Sequence, residues 1–134
     1  EYLQARTSKQ VSFDFRAPSK PLYVSLNPTL HSWTIENLVK NSIDAMKGKG
    51  KLSIEIVEGD SSIYITVTDS GNGIPKNKFK TVFEPGYTSK KRGWGLGLSL
   101  TKRIVQEYHK GKIRVVSSEI GKGTTMQMSF KKVS

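Results

Sequence analysis

The sequence predicts an α+β two-layer domain: one mixed, mostly antiparallel sheet with helices on a single face. Two observations carry this. Apolar residues alternate with polar ones in segments grouped at both ends of the chain, the period of half-buried strands. Between those groups run two stretches with apolar residues at helical spacing. At 134 residues the chain fits one domain with a substantial core.

The polar stretch Glu1–Gln10 reads as a linker remnant, with the domain itself spanning 11–134. Val11, Phe13 and Phe15 alternate and mark a first strand, and Leu22–Leu26 reads as a short second one after Pro18 and Pro21. Asn27-Pro28 is a turn signal into a helix over about Leu30–Met46. Ile35, Leu38, Val39, Ser42, Ile43 and Met46 form its inner face. The glycines within Lys47–Lys51 end it. Leu52–Glu58 and Ser62–Asp69 alternate around a Gly59-Asp60 turn and form a hairpin. A short helix is expected near Lys76–Val82 and a longer one over Leu96–Tyr108, with Leu100, Ile104 and Val105 inward. Strands at Lys112–Ser117 and Thr124–Lys131 close the chain.

Charge and composition narrow the function classes. The balance of 22 basic against 11 acidic residues gives a net charge of +11. A nucleic-acid surface, a nucleotide pocket with an acidic protein partner, and a plain solvated surface all fit such a balance. The charges concentrate only briefly, at Lys47–Lys51, Lys76–Lys80 and Lys90–Arg92, and no basic arm appears, so nucleic acid is not the expected partner. With no cysteine, disulfides and thiolate metal sites are excluded. No run reaches the length of a membrane span, and a cytoplasmic location is expected. The chain starts at Glu1 and reads as a piece of a longer protein, whose anchoring to the inner membrane the sequence leaves open.

Chemistry-bearing residues collect in four places. Asn37, Asn41 and Asp44 fall at i, i+4 and i+7 on the first helix and make one polar stripe. An amide oxygen there suits Mg²⁺, which takes hard oxygen ligands and keeps several waters. An ordinary solvated helix face is the alternative. In Asp69-Ser70-Gly71-Asn72-Gly73-Ile74, strand alternation puts Asp69 on the side of Ile63, Ile65 and Val67. A carboxylate at the end of a core-facing row needs a donor, such as an adenine amino group, and the glycines would admit a flat base. The same residues also read as a plain Asp-Ser-Gly turn. Gly93-Trp94-Gly95-Leu96-Gly97-Leu98 opens a helix, where free backbone N–H groups favour phosphate. It matches neither the P-loop nor the dinucleotide spacing. Lys90, Lys91 and Arg92 precede it, as phosphate contacts or as a solvated charge run. In Gly121-Lys122-Gly123-Thr124-Thr125, alternation with Met126, Met128 and Phe130 turns Thr124 inward beside Asp69.

Taken in order, these segments resemble the ATP-binding (Bergerat, or GHKL) fold shared by gyrase, the related heat-shock chaperone, histidine kinases and mismatch-repair ATPases. Glu36–Asn41 with Asp44-Ala45 is similar to the N box, and Asp69–Gly73 to the first glycine box. Phe79 with Val82–Thr88 resembles the F box, Gly93–Leu98 the second glycine box and Gly121–Thr125 the third. The F box and second glycine box resemble the sensor histidine kinase branch in particular. The resemblance implies an ATP-binding catalytic domain that passes the γ-phosphoryl group of Mg-ATP to a histidine on a separate dimerisation domain. By it, Asn41 holds Mg²⁺ and Asn37 lies near the phosphates, the two forming the catalytic pair. Asp69 reads the adenine amino group with Thr124 in support, next to Gly71, Gly73 and Ile74. Phe83 anchors a lid running to about Trp94 that carries Tyr87, Lys90 and Arg92. Gly95, Leu96, Gly97 and Leu98 lie under the phosphates. The implied partners are ATP or ADP, the dimerisation domain of the same parent and a response regulator receiver. The parent would be a homodimer and the excised chain a monomer.

One position separates the branches. Hydrolysing members carry a Glu general base where this chain has Asn37, and an amide cannot take a proton. Phosphoryl transfer to a protein that brings its own base remains open. A serine kinase that restrains a partner such as a sigma factor is the alternative within the fold, and a basic nucleic-acid module the alternative outside it. Two points of difference stand out: many kinases of the family carry a Lys near Asp44, which leaves the phosphate contacts there open, and bulky Trp94 stands where a small residue is usual. His31 lacks the acidic neighbour of a phosphoacceptor, and His109 reads as a helix C-terminal residue where a cation is favoured.

Overall fold

In a computed structural model, residues 11–19, 27–47, 49–84 and 97–132 are described. Strands β1 (Val11–Arg16), β2 (Gly50–Glu58), β3 (Ser62–Asp69), β4 (Lys112–Glu119) and β5 (Gly123–Lys131) form one sheet in the order β1-β2-β3-β5-β4. Only β1 and β2 pair in parallel, and the remaining pairs are antiparallel. The two-layer expectation holds. The expected strand at Leu22–Leu26 lies outside the described residues.

Helix α1 (Pro28–Ala45) starts where local chemistry favours it. Asn27 is the N-cap, its Oδ1 accepting from the Leu30 amide at 3.1 Å, and Pro28 follows in the first turn. Leu38, Val39, Ser42 and Met46 are buried. Past Met46 the left-handed turn falls on Lys47, at φ 56°, a conformation a side chain adopts only at some cost.

The core lies between this helix layer and one face of the sheet. Leu52, Ile54, Ile65, Val67, Ile113, Val115, Met128 and Phe130 rise from the strands to meet α1. Each such side chain is worth roughly 2 kcal/mol when fully buried. The opposite face is polar, with Thr125 donating to Thr68 at 3.3 Å and Gln127 to Thr66 at 3.4 Å. This is why helices cover one face alone.

Three expectations need correction. Phe15 is 47% exposed, one residue from the end of the edge strand β1. In place of one helix over Lys76–Val82, two 3-10 turns occur, Lys76–Lys78 and Thr81–Phe83. Helix α2 covers only Gly97–Arg103, and a π-turn follows over Ile104–Tyr108. Ile104 and Val105 are buried, and Thr101, three and four residues before them, takes the interior position with no exposed surface. Leu100 lies at the margin of that face and is 40% exposed.

Candidate functional site

Asp69 ends β3 on the helix-covered side, directly opposite Thr124 of β5. Its Oδ1 accepts from the Gly71 amide at 2.9 Å. Burial holds the carboxyl above its ordinary value, and donation from the Gly71 amide, the Ser42 hydroxyl and the Thr124 amide opposes that rise. A half-buried carboxylate, fixed by donors on three segments, is suited to accept one more hydrogen bond from a ligand. Ser42 is buried on α1, next to Asn41, so the polar stripe of the helix is tied to Asp69.

The first glycine stretch is packed by protein on both sides. A side chain at Gly71 would meet the Ala45 backbone at 2.7 Å, and Gly73 (φ 84°) would strike the backbone of Glu119. Their missing side chains make room for neighbouring chain. The Asn72 amide donates to Ala45 O at 3.0 Å, and its carbonyl accepts from Gly121 at 2.8 Å. This loop thereby joins the end of α1 to the β4–β5 turn.

The phosphate-side residues meet across the two helices. Asn37 donates through Nδ2 to Thr101 Oγ1 at 2.9 Å, so the amide is held by α2 with its oxygen left as an acceptor. Asn41 lies one turn further along, half-buried, while Asp44 is exposed. Gly97 opens α2, and Ile74 and Leu98 pack against the core. Phe83 is buried at the end of its 3-10 turn, with Lys102 Nζ 5.8 Å from its ring centre. Tyr87, Lys90, Arg92, Trp94, Gly95 and Leu96 lie outside the described residues.

A family model described as histidine kinase-, DNA gyrase B- and HSP90-like ATPase matches residues 29–134. The chain belongs to that family. Sporulation kinase A of Bacillus subtilis is 42% identical over 96 residues, 72% of this chain and 16% of that protein. Sensor histidine kinase ZraS of Escherichia coli is 34% identical over 125 residues, 93% of this chain and 26% of that one. The chain thus spans about a quarter or less of these relatives. The catalytic domain of histidine kinase ThkA superposes with a TM-score of 0.81 at 29% identity, over 92% of this chain and 80% of that one. The sensor histidine kinase MprB, at 23% identity and a TM-score of 0.83, shares the fold over 98% of this chain and 87% of its own. Within its family the chain is an ATP-binding catalytic domain of the sensor histidine kinase kind.

Three residues of this histidine-kinase domain carry no sequence signal for a part in the site, although the inward place of Ser42 is legible. Thr101 and Ser42 are ordinary helix hydroxyls until the fold sets them against Asn37 and Asp69. Ser118 is the third. Its Oγ accepts from the Ile74 amide at 2.7 Å, donates to Gly123 O at 2.8 Å and lies 2.8 Å from Thr124 Oγ1. His109 stands at the helix C-terminus as expected, but not as a cation. It is buried, its Nε2 accepts from the Asn27 amide at 3.0 Å, and burial holds it below the ordinary histidine value. It is therefore neutral and caps nothing as a cation. Among the described residues, no three His, Asp or Glu are grouped to hold a metal, and no helix is long and apolar enough to cross a membrane.

Proposed function

We propose that this domain binds Mg-ATP and delivers the γ-phosphoryl group to a histidine on a separate domain of the same parent protein. The observation that carries the reading is Asp69: a desolvated carboxylate at a strand end, held by donors on three segments and still able to accept. The exocyclic amino group of adenine is a neutral donor that fits it. Thr124, opposite in the sheet, supports the same contact.

The donor set also suits a magnesium–phosphate group. Asn41 offers a neutral amide oxygen on the same helix as Asn37, and Mg²⁺ completes its shell with phosphate oxygens and water. When bound, the ion neutralises charge on the phosphates. Asn37, fixed by Thr101 through its Nδ2, keeps its Oδ1 as an acceptor. Neither amide can take a proton, and Glu36 is turned about 100° away on the helix. Activation of water is therefore disfavoured. Positioning for transfer is not, because an acceptor histidine attacks through its own neutral ring nitrogen as the bond from the γ-phosphorus to the bridging oxygen breaks.

Neither histidine of this chain is suited to be that acceptor. His109 is buried and engaged by Asn27, and His31 is half-buried against His109 and Phe130. Phe83, Tyr87, Lys90, Arg92, Gly95 and Leu96 complete the proposed nucleotide site, together with Gly71, Gly73, Ile74, Gly97 and Leu98. A crystal structure of ThkA with its response regulator supports a receiver domain as a further partner of the parent.

Calorimetric titration with ADP and ATP, with and without Mg²⁺, tests the reading. The wild-type chain is expected to bind both, ATP more tightly with Mg²⁺, and to hydrolyse ATP negligibly. Asp69→Asn is expected to lose at least tenfold in affinity, since an amide nitrogen or a misdirected oxygen replaces the acceptor. Brisk ATP turnover would point to a hydrolysing relative, and no binding at all would sink the proposal.

A further inference from the structure

Ser118 reaches the site through an irregularity in β4. Ile113 and Val115 face the core opposite Met128 and Met126, so regular alternation would turn Ser117 inward and Ser118 out. The register instead jumps from Val115 to Ser117, with Val116 as the extra residue. This bulge reverses the phase of the strand end. Ser117 then pairs with outward Thr125, and Ser118 pairs with inward Thr124.

A serine hydroxyl has one hydrogen to give and two lone pairs to accept with. At Ser118 the hydrogen goes to the Gly123 carbonyl, which can only accept. One lone pair takes the Ile74 amide, which can only donate. The remaining contact, Thr124 Oγ1 at 2.8 Å, must therefore be a hydrogen bond in which Thr124 donates. With its only hydrogen committed to Ser118, the Thr124 hydroxyl is an acceptor towards everything else.

We propose that Ser118 is a specificity-determining residue, one that locks Thr124 as an acceptor beside Asp69 so that the base site demands a hydrogen donor at position 6 of a purine. The inference rests on the reading of Asp69 as the adenine contact, and it adds why a 6-oxo purine is refused. Asp69 and Thr124 face each other in register, and both present lone pairs. A 6-amino group satisfies that environment, directly or through one water. A 6-oxo purine carries its hydrogen on N1 instead, so at position 6 a third acceptor faces lone pairs that a 6-amino group would have paired. Ser118 acts through Thr124 and is a positioning residue in this scheme.

The test compares ADP with inosine diphosphate, which carries a 6-oxo group and a hydrogen on N1 in place of the 6-amino group, by calorimetry on the purified chain. Wild type is expected to prefer ADP. In Ser118→Ala the Thr124 hydroxyl regains its hydrogen and can turn it to a 6-oxo group, so the ADP:IDP affinity ratio should fall by about tenfold. Ser118→Thr keeps a hydroxyl and should restore the ratio. A purely structural role would weaken both nucleotides together and leave the ratio unchanged, and that result overturns the proposal. Should Ser118→Ala not fold, Thr124→Val removes the acceptor while keeping the Ser118 bonds to Ile74 and Gly123. There an unchanged ratio also overturns it. A wild type that binds ADP and IDP alike removes the Asp69 reading itself, a different failure from a wild-type preference that Ser118 variants leave intact.

Discussion

At the scale of single residues, the site works through hydroxyls that orient other groups. Thr101 is the clearest case: fully buried, it accepts from Asn37 Nδ2 and fixes which way that amide faces. Replacing it with valine keeps the shape and removes the acceptor. Thr101→Val is expected to cost about 1–2 kcal/mol in stability through the unpaired donor. It should slow phosphoryl transfer to a supplied acceptor domain severalfold while leaving ADP affinity nearly unchanged, since Asp69 is untouched. Transfer assays beside ADP titrations check this, and an equal loss in both would assign Thr101 to the fold alone. These partners also mark the limit of what the sequence discloses. Asp69 and Thr124 were legible because both lie in strands whose alternation is unbroken up to them. Ser118 was not, because one extra residue at Val116 reverses the pattern and nothing in the letters announces it.

At the scale of elements, the two helices meet the sheet through a polar hinge point as well as through apolar packing. The Asn27 amide, at the start of α1, donates to His109 just past the π-turn, and His31 and Phe130 close edge-on around that ring. The helix boundaries that periodicity gave for α1 were close, since Asn27-Pro28 is a strong start signal. The second helix differs at Leu100, because the face that buries Ile104 and Val105 is centred on the polar Thr101, three and four residues before them, and leaves Leu100 at its margin. Protonating His109 would replace its acceptor with a donor facing a donor, and charge it beside His31. Both histidines are held below their ordinary value of 6.5, by burial first and for His31 also by His109. The unfolded chain then binds more protons than the folded one between those lowered values and about 6.5. Stability is accordingly full above pH 6.5 and falls as the pH drops through the lowered values. Thermal melts from pH 8 to pH 5 should show this loss as a falling midpoint. His109→Gln offers an oxygen to Asn27 without titrating, so its loss over the same range should be smaller. Parallel curves for the two proteins would mean that carboxylates, not this contact, govern the acid limb.

At the scale of the whole molecule, the sheet gathers what the chain separates. Asp69, Ser118 and Thr124 lie on three different strands that the order β3-β5-β4 makes neighbours, and α1, which carries Asn37, Asn41 and Ser42, is tied to them by the Ser42 hydroxyl on Asp69. The fold class was readable from alternation and helical spacing, whereas the strand order was not, since pairing between distant segments leaves no local trace. The net charge of +11 is the remaining global property. Lys76, Lys78 and Lys80 are exposed on and beside the 3-10 turns that lead to Phe83, so they form a concentration of positive charge that the core does not use. An acidic receiver domain is the partner such a patch would steer, with an effect on association rate that salt suppresses. Changing all three to glutamate should slow association with the receiver by about tenfold or more at low salt and much less near 0.5 M salt. ADP affinity should stay constant, because none of the three belongs to the nucleotide contacts argued above. Stopped-flow association at several ionic strengths, alongside ADP calorimetry, separates the cases. A salt slope identical to wild type would remove this patch from the docking surface. A fall in ADP affinity would instead mean that the lysines act on the nucleotide, and the charge would then belong to the active site itself.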